Sequence, residues 1–512
     1  MVIEYWILFV IWNLRFGILN VKLMVKKIFL VGIIFLSLPI FVEADQWGQK
    51  VNFFVDPAFD ISQREELSAT LQAPTIKLYF YIDDAWWNSL TGSQQDEVRK
   101  SLNSLASEFE SKIYPFLTSA FGFEDKPGID KDEKITVLIH PMVDMAGGYF
   151  NTADGYSKLE APFSNQREMV YLNSKYINSS QNAALLAHEF MHLITLNQKE
   201  KKYKATEEVW LNEVRSEYAP TFLGYDDKYQ GSNLERRVGH FLSDPTNSLT
   251  DWRNDSGDYG ATNLFSQYLV DQYGVEILKD SLQTPKVGID SLNYALEKNR
   301  ASENFSQVFT NWTIANLIND CSIGERYCYK NTNLKDFRVV PLTNYLPLVG
   351  ESSLKFGNAT QSWSGNWHKF IGGNGKLTLE FAGSLDVSFQ VPYITKTIAE
   401  ATSVKFLELN QLQQGVLTLS NFGKDIISLT IIPTIQAEDK RVDNAEPYFI
   451  FSWTASVTKE TNQNSENPPA EKPVSEMTKA ELEAKIMEIQ QQIIALLTQL
   501  IELLQSQIAD LR

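Results

Sequence analysis

Two histidines four residues apart, His188 and His192, lie in a run that reads Ala183-Ala184-Leu185-Leu186-Ala187 before them and Leu193-Ile194 after. The run is apolar and rich in helix formers, so it predicts a buried helix. On a helix, positions i and i+4 project from one face, which brings both imidazoles to a single ion. Glu189 follows the first histidine, completing His188-Glu189-Phe190-Met191-His192. A carboxylate beside that face can take the proton of a metal-held water. The bland reading is a pair of core histidines satisfied by hydrogen bonds. It is the weaker one, because the 512-residue chain has only five histidines and two of them bracket this glutamate.

A catalytic zinc takes three protein ligands and keeps one position open. Trp210-Leu211-Asn212-Glu213 ends 21 residues beyond His192, enough for a loop and a return helix. The polar stretch 197–202 predicts the loop, and 206–219 predicts the helix, with Thr206 as its N-cap. Glu213 then completes the ligand set. Glu217, one turn further, accepts the spare ring N–H of a ligand histidine and so fixes its tautomer and orientation. The competing reading of this segment is a solvated acidic helix face.

Together these segments resemble the gluzincin metallopeptidases, the clan that includes thermolysin, and are most similar to the secreted hyicolysin-like family. In that family the active helix reads HEFxH, and the second reads WLNE followed by small residues and SEYA. Here the second reads Trp210-Leu211-Asn212-Glu213-Val214-Arg215-Ser216-Glu217-Tyr218-Ala219. The similarity runs over about residues 114–274 and takes in Lys112-Ile113-Tyr114-Pro115, Gly147-Gly148-Tyr149-Phe150 and Arg167-Glu168-Met169-Val170-Tyr171-Leu172. It implies one catalytic zinc, proteolysis, and Glu189 as general base and acid. Val214 departs from the family, where glycine is usual; this puts packing in doubt more than metal binding. Gluzincin aminopeptidases also carry a Tyr-Gly segment opening a helix, whose tyrosine donates to the oxyanion. By that analogy Tyr259, in Asp258-Tyr259-Gly260, is the candidate donor. His240 is its rival, since thermolysin uses a downstream histidine, and a capping or packing tyrosine is the plain alternative. His140 and His368 have no motif around them and read as structural or surface residues.

The chain is acidic, with net charge −17, and no basic stripe offsets it, so nucleic acid is a poor partner. Met24-Val25-Lys26-Lys27, an apolar stretch to Val42 and then Glu43-Ala44-Asp45 have the layout of an export signal. Translation from Met24 is the favoured reading, and an N-terminal membrane anchor the alternative. Loss of residues 1–44 removes four basic and two acidic residues and takes the charge to −19. Cys321 and Cys328, the only cysteines, read as a short-loop disulfide of an exported protein. Both lie downstream of the motif, which leaves no N-terminal cysteine to mask the metal.

The fold class expected is an α+β zincin unit: a mixed sheet with the active-site helix, then a mainly helical subdomain. Strands are predicted at 75–82, 135–140 and 169–172, and a helix over 93–121. Gly147-Gly148-Tyr149-Phe150 is either an edge strand able to pair with extended substrate or an ordinary glycine turn. Asp125, Asp130, Asp132 and Glu133 form an acidic turn; Ca²⁺ suits such oxygens, but the regular calcium-loop spacing is absent and a solvated turn is preferred. Residues 206–332 read as mainly helical. From 337 to 457 the period becomes two, with segments at 376–381, 387–391, 417–419, 426–432 and 448–453, which predicts an accessory β-sandwich.

The expected organisation is a signal or hydrophobic segment (1–44), a peptidase domain (45–335), a β-sandwich (336–458), a linker (459–477) and a coiled-coil helix (478–512). The expected function is a secreted or cell-surface zinc endopeptidase acting on protein or peptide substrates. An aminopeptidase of the same clan and a non-catalytic surface adhesin are the alternatives. No Gly-x-Met-Glu-Asn segment precedes the active helix, which disfavours the first; the intact Glu189 disfavours the second. In the tail, apolar residues from Leu482 to Leu503 recur at alternating gaps of four and three, with a second apolar seam beside them. Leaving such a stripe in water costs roughly 1.5–3 kcal/mol per large side chain. Residues 478–511 are therefore expected to associate with copies of themselves or with a partner helix, in preference to folding back on the sandwich. Sedimentation of the mature protein against a chain ending at Glu460 tests this: only the longer one should associate, and two monomers would refute self-association.

Overall fold

A computed structural model describes residues 44–437 and 447–459 of the chain. Most of the expected signal segment (1–44), and nearly all of the expected linker (459–477) and coiled-coil helix (478–512), lie outside these residues. Among the described residues, no helix is long and apolar enough to cross a membrane.

The N-terminal part is built on a six-stranded mixed sheet of β1 (Lys50–Phe54), β2 (Glu66–Pro74), β3 (Leu78–Asp83), β4 (Ile135–His140), β5 (Gly148–Tyr149) and β6 (Met169–Asn173). The strand order is β1-β2-β3-β4-β6-β5. β3, β4 and β6 run parallel and are buried at every position, which is why they read as continuous apolar runs. Phe80, Ile82, Val137, Ile139 and Val170 face the helices, while Tyr79, Tyr81, Leu138 and Tyr171 face Phe53 and Leu71 of the outer strands. β5 pairs antiparallel with β6 and ends the sheet, so the glycine segment is an edge strand and not a turn. Tyr149 pins that edge, stacked between Phe59 at 4.7 Å and Tyr171 at 4.1 Å.

Ten α-helices complete the described chain: α1 (Asp84–Ser89), α2 (Gly92–Glu108), α3 (Tyr114–Phe121), α4 (Asn182–Thr195), α5 (Val209–Phe222), α6 (Asn233–Ser243), α7 (Ser256–Tyr273), α8 (Glu276–Leu282), α9 (Gly288–Lys298) and α10 (Phe305–Ile318). The single helix expected over 93–121 is broken by a π-helical turn at Phe109–Ile113. Pro115 has no N–H to give, and the break puts it in the first turn of α3, where none is needed.

The polar stretch after His192 is not a solvated loop. α4 runs on as a π-helical segment, Leu196–Lys201, and the Lys199 side chain is wholly buried. Its ammonium donates to the carbonyls of Ser281 at 2.7 Å and Thr284 at 3.0 Å, and Glu207 lies 3.4 Å away. Glu207 also pairs with buried Arg215 at 2.8 Å. This commitment keeps 206–208 out of the helix, so α5 starts at Val209 after Glu208 and Thr206 is not its cap.

The C-terminal β-region is one nine-stranded sheet, where two separate layers were expected. Its main path is β13 (Thr402–Phe406), β12 (Pro392–Thr397), β15 (Ile426–Ile431), β14 (Gln414–Phe422), β10 (Gly375–Gly383), β17 (Phe449–Thr458) and β8 (Ser352–Thr360). β9 (His368–Gly372) joins β15, and β7 (Leu342–Leu346) joins β9. The sheet curls nearly into a barrel about Phe370, Leu377, Leu429, Ile431, Phe451 and Trp453. It stays continuous at the β14–β15 turn, where Gly423 has φ +85° and a Cβ would meet the Gly373 carbonyl at 1.9 Å. The short pair β11 (Phe389–Gln390) and β16 (Thr434–Ile435) replaces the strand expected at 387–391. Trp363 and Trp367 leave this region to join the helical core. The Trp363 ring lies 4.7 Å from that of Phe305, and the Trp367 indole donates to the Thr313 carbonyl at 3.0 Å.

Burial of Lys199 yields a stability prediction. Lys199→Met keeps the volume but strands the carbonyls of Ser281, Thr284 and Lys286 and unbalances Glu207 and Arg215, at about 3–5 kcal/mol. The urea midpoint of unfolding should fall accordingly, and an unchanged midpoint would contradict the role given to the buried ammonium.

Candidate metal centre

The second and third turns of α4 face the second turn of α5, and three side chains converge between them. His188 Nε2 lies 3.2 Å from His192 Nε2 and 3.3 Å from Glu213 Oε2, and His192 Nε2 lies 3.5 Å from Glu213 Oε1. One donor atom from each residue falls within 4.8 Å of the others. Ligands about 2.0–2.1 Å from a tetrahedral centre stand roughly 3.3 Å apart, so the spacings fit a zinc ion. Glu213 Oε2 is buried and makes no hydrogen bond, as a metal-directed oxygen should. Among the described residues no other three His, Cys, Asp or Glu donors come so close.

Each imidazole is held from behind. His188 Nδ1 lies 3.5 Å from Glu217 Oε1, the partner expected from one helical turn's spacing. Glu217 is wholly buried and accepts from Arg237 Nε at 2.9 Å, Asn233 at 3.0 Å and Asn263 at 3.1 Å. Burial opposes its charge, but Arg237 above all holds its carboxyl down at about 2. His192 Nδ1 lies 3.1 Å from Ser216 Oγ, and Phe150 stacks on its ring at 5.9 Å. Burial works against the charge of His188, yet the nearby carboxylates of Glu213, Glu189 and Glu217 raise it to about 9. Burial lowers His192, while the two histidines hold Glu213 below its usual range against its own burial.

Glu189 is buried on the side of the triad that faces β5. A Cβ at Gly148 would lie 2.9 Å from Glu189 Oε1 and 2.6 Å from the Tyr171 carbonyl, so only glycine lets the edge strand approach the carboxylate. Burial, reinforced by Glu213 and Glu217, raises the Glu189 carboxyl to about 8. A dication held by the triad would act in the opposite sense and favour the carboxylate, the form that can accept a proton.

Tyr259 lies at the start of α7, its hydroxyl donating to Asn254 Oδ1 at 2.9 Å and Arg237 over its ring at 4.5 Å. Burial and the charges of Glu213 and Glu189 push its phenol up, which puts it in the field of the triad. His240, on α6, is instead lowered by burial and by Arg237 and Arg236. His140 is interior and bonded to Asp60 at 3.1 Å; His368 is buried in the β-region beside Phe356 and Trp453. The acidic turn lies at the surface, as expected, and carries pairs there: Asp125 with Lys201, the exposed Glu133 with Lys126, and Asp132 accepting from Tyr79. Ser216, Arg237, Asn233 and Asn263 escaped the sequence reading. Ser216 follows Glu213 by three residues and was within reach of a helical-face argument; the other three come from α6 and α7.

No family model matches the chain. The neutral metalloprotease ShpI of Staphylococcus hyicus is 28% identical over 244 residues, covering 42% of this chain and 53% of that protein. The likeness is one of distant homology, and the chain spans about half the length of the curated relative it matches. Among solved structures, the Yersinia pseudotuberculosis-derived mitogen has 8% identity and a TM-score of 0.15 over 23% of this chain and 98% of that one. The pre-peptidase C-terminal domain of collagenase from Bacillus anthracis has 6% identity and a TM-score of 0.16 over 23% and 96%. Such scores carry no argument.

The two glutamates of α5 make separable predictions. Glu213→Ala should abolish stoichiometric zinc binding, whereas Glu217→Ala should weaken it by about 10–100-fold. Zinc titration of both variants checks this, and full, equal affinity in the two would mean that other residues complete the site.

Proposed function

We propose that the protein is an exported zinc endopeptidase that hydrolyses internal peptide bonds of polypeptide substrates. The observation that carries the reading is the convergence of His188, His192 and Glu213 with Glu189 beside an edge strand. Distant homology to a neutral metalloprotease supports it. The Cys321–Cys328 disulfide agrees with an oxidising, extracellular destination.

In this reading His188, His192 and Glu213 hold the ion. Zinc bound there supplies a Lewis acid that polarises the scissile carbonyl and makes water more acidic. Glu189 accepts the proton of the attacking water and delivers it to the departing amine nitrogen, so one carboxyl serves both as base and as acid. Burial favours the protonated carboxyl between these two transfers. Glu217 and Ser216 keep the imidazoles in the tautomer that presents Nε2 to the ion. Tyr259 donates to the carbonyl oxygen as charge develops on it, by exchanging its bond to Asn254 for one to substrate. β5 aligns the substrate backbone by strand addition, with Gly148 allowing the scissile bond to approach Glu189. An edge strand grips backbone without needing a chain end, which favours cleavage at internal bonds.

Glu189→Gln is the decisive variant. It should retain one zinc per chain and the wild-type unfolding midpoint while losing at least about 10²-fold in kcat on a peptide library. Near-wild-type turnover would refute the assignment of the base. Stepwise release of N-terminal residues by the wild type would replace endopeptidase with aminopeptidase.

A further inference from the structure

We propose that the C-terminal β-region is a positioning element for the active site, acting through residues 244–255 between α6 and α7 to hold Tyr259. The proposal rests on the endopeptidase reading and extends it to a part of the chain that carries no catalytic group. The connection is tied to the β-region along its length. Ser248 Oγ donates to the Ser362 carbonyl at 2.8 Å, and the Leu249 N–H to the Trp363 carbonyl at 2.9 Å. Further on, Asp251 accepts from Gln361 Nε2 at 2.7 Å and from Arg253 Nη2 at 2.7 Å. Arg253 also donates to Gln361 Oε1 and, at 3.2 Å, to the Tyr448 hydroxyl. Two residues beside this clamp touch Tyr259 directly. The Trp252 ring meets it edge-on at 4.9 Å, and Asn254, held at φ +62°, accepts its hydroxyl at 2.9 Å.

The geometry makes these contacts consequential. Asn254 occupies a left-handed turn conformation, which asparagine adopts more readily than other non-glycine residues, and bonds to its neighbours fix where that turn sits. Those bonds come from both sides: the Arg253 N–H donates to Asp258 of α7 at 2.8 Å, and the Arg253 guanidinium reaches the β-region. Behind Tyr259, α7 is fixed independently. A Cβ on Gly260 would meet the Phe241 backbone nitrogen of α6 at 2.5 Å, so the two helices touch main chain to main chain. The tyrosine backbone is therefore set by helix packing, while its ring and hydroxyl are set by a segment anchored to the β-region. Trp363, buried against Phe305 and Phe309, makes that anchor part of the molecule's main core. Gln361 and Arg253 are positioning residues in this account; neither touches substrate.

The test compares the full chain with Gln361→Ala, Arg253→Ala, Tyr259→Phe and the Gln361→Ala/Tyr259→Phe double variant. Arg253 is surface-exposed, so its variant covers the case in which loss of buried Gln361 disturbs folding. Each clamp variant should lower kcat by roughly 10–100-fold, the loss expected from a small misplacement of a catalytic group, with KM and zinc content near wild type. In the Tyr259→Phe background Gln361→Ala should cost nothing further, because the group it positions is already gone. Amide hydrogen exchange at 249–259 should speed up in both clamp variants whether or not they are assayed for turnover. Wild-type kcat in both clamp variants, multiplicative losses in the double variant, or unchanged exchange would each overturn the proposal. A wild-type protein that cleaves no peptide would overturn the endopeptidase reading itself, a different result from an active enzyme indifferent to its clamp.

Discussion

Two imidazole nitrogens 3.2 Å apart, both facing a carboxylate in a buried cleft, are an arrangement that a cation stabilises and little else does. Neutral rings so close can share one hydrogen bond, but that leaves Glu213 Oε2 with no hydrogen-bond partner in a site shielded from water. Burying such groups costs several kcal/mol unless they are matched. The surrounding structure supplies the matching in layers. Glu217 and Ser216 hold the rings, and Arg237, Asn233 and Asn263 hold Glu217. α5, α6 and α7 thus meet at one carboxylate.

What was legible in the sequence was local. The spacing of His188 and His192 on a helix, and of Glu213 and Glu217 on the next, follows from 3.6 residues per turn, and the structure brings these four residues together. The buried parallel strands were visible as apolar runs. Less visible was anything decided between elements. Residues 197–202 look like a loop because they are polar, yet the ends of α8 and the chain after it offer carbonyls that draw Lys199 inside. Arg237 carries no local sign that it will be aimed at Glu217, since that depends on how α6 crosses α5. The β-region was recognisable by its period of two, but its curl involves tight main-chain approaches at Gly372, Gly415 and Gly423 that the period does not announce.

The same distinction explains why the β-region first reads as a detachable accessory. Its strands form their own core, but Trp363 and Trp367 belong to the core of the helical part. A joint built on buried indoles transmits position, as a flexible linker cannot. Function in this chain is accordingly spread over two kinds of structure. The residues that would hold the ion stand on α4 and α5, and the groups that would meet substrate are Glu189 of α4, the edge strand β5 and Tyr259 at the start of α7.

X-ray absorption at the zinc edge on the purified full chain tests the central claim most directly. The account predicts one zinc per chain, with nitrogen and oxygen neighbours at about 2.0–2.1 Å and the outer-shell signature of two imidazoles. Loss of one imidazole from that signature should follow replacement of either His188 or His192. A chain that takes up no zinc, or holds it with sulfur neighbours at about 2.3 Å, would contradict the account.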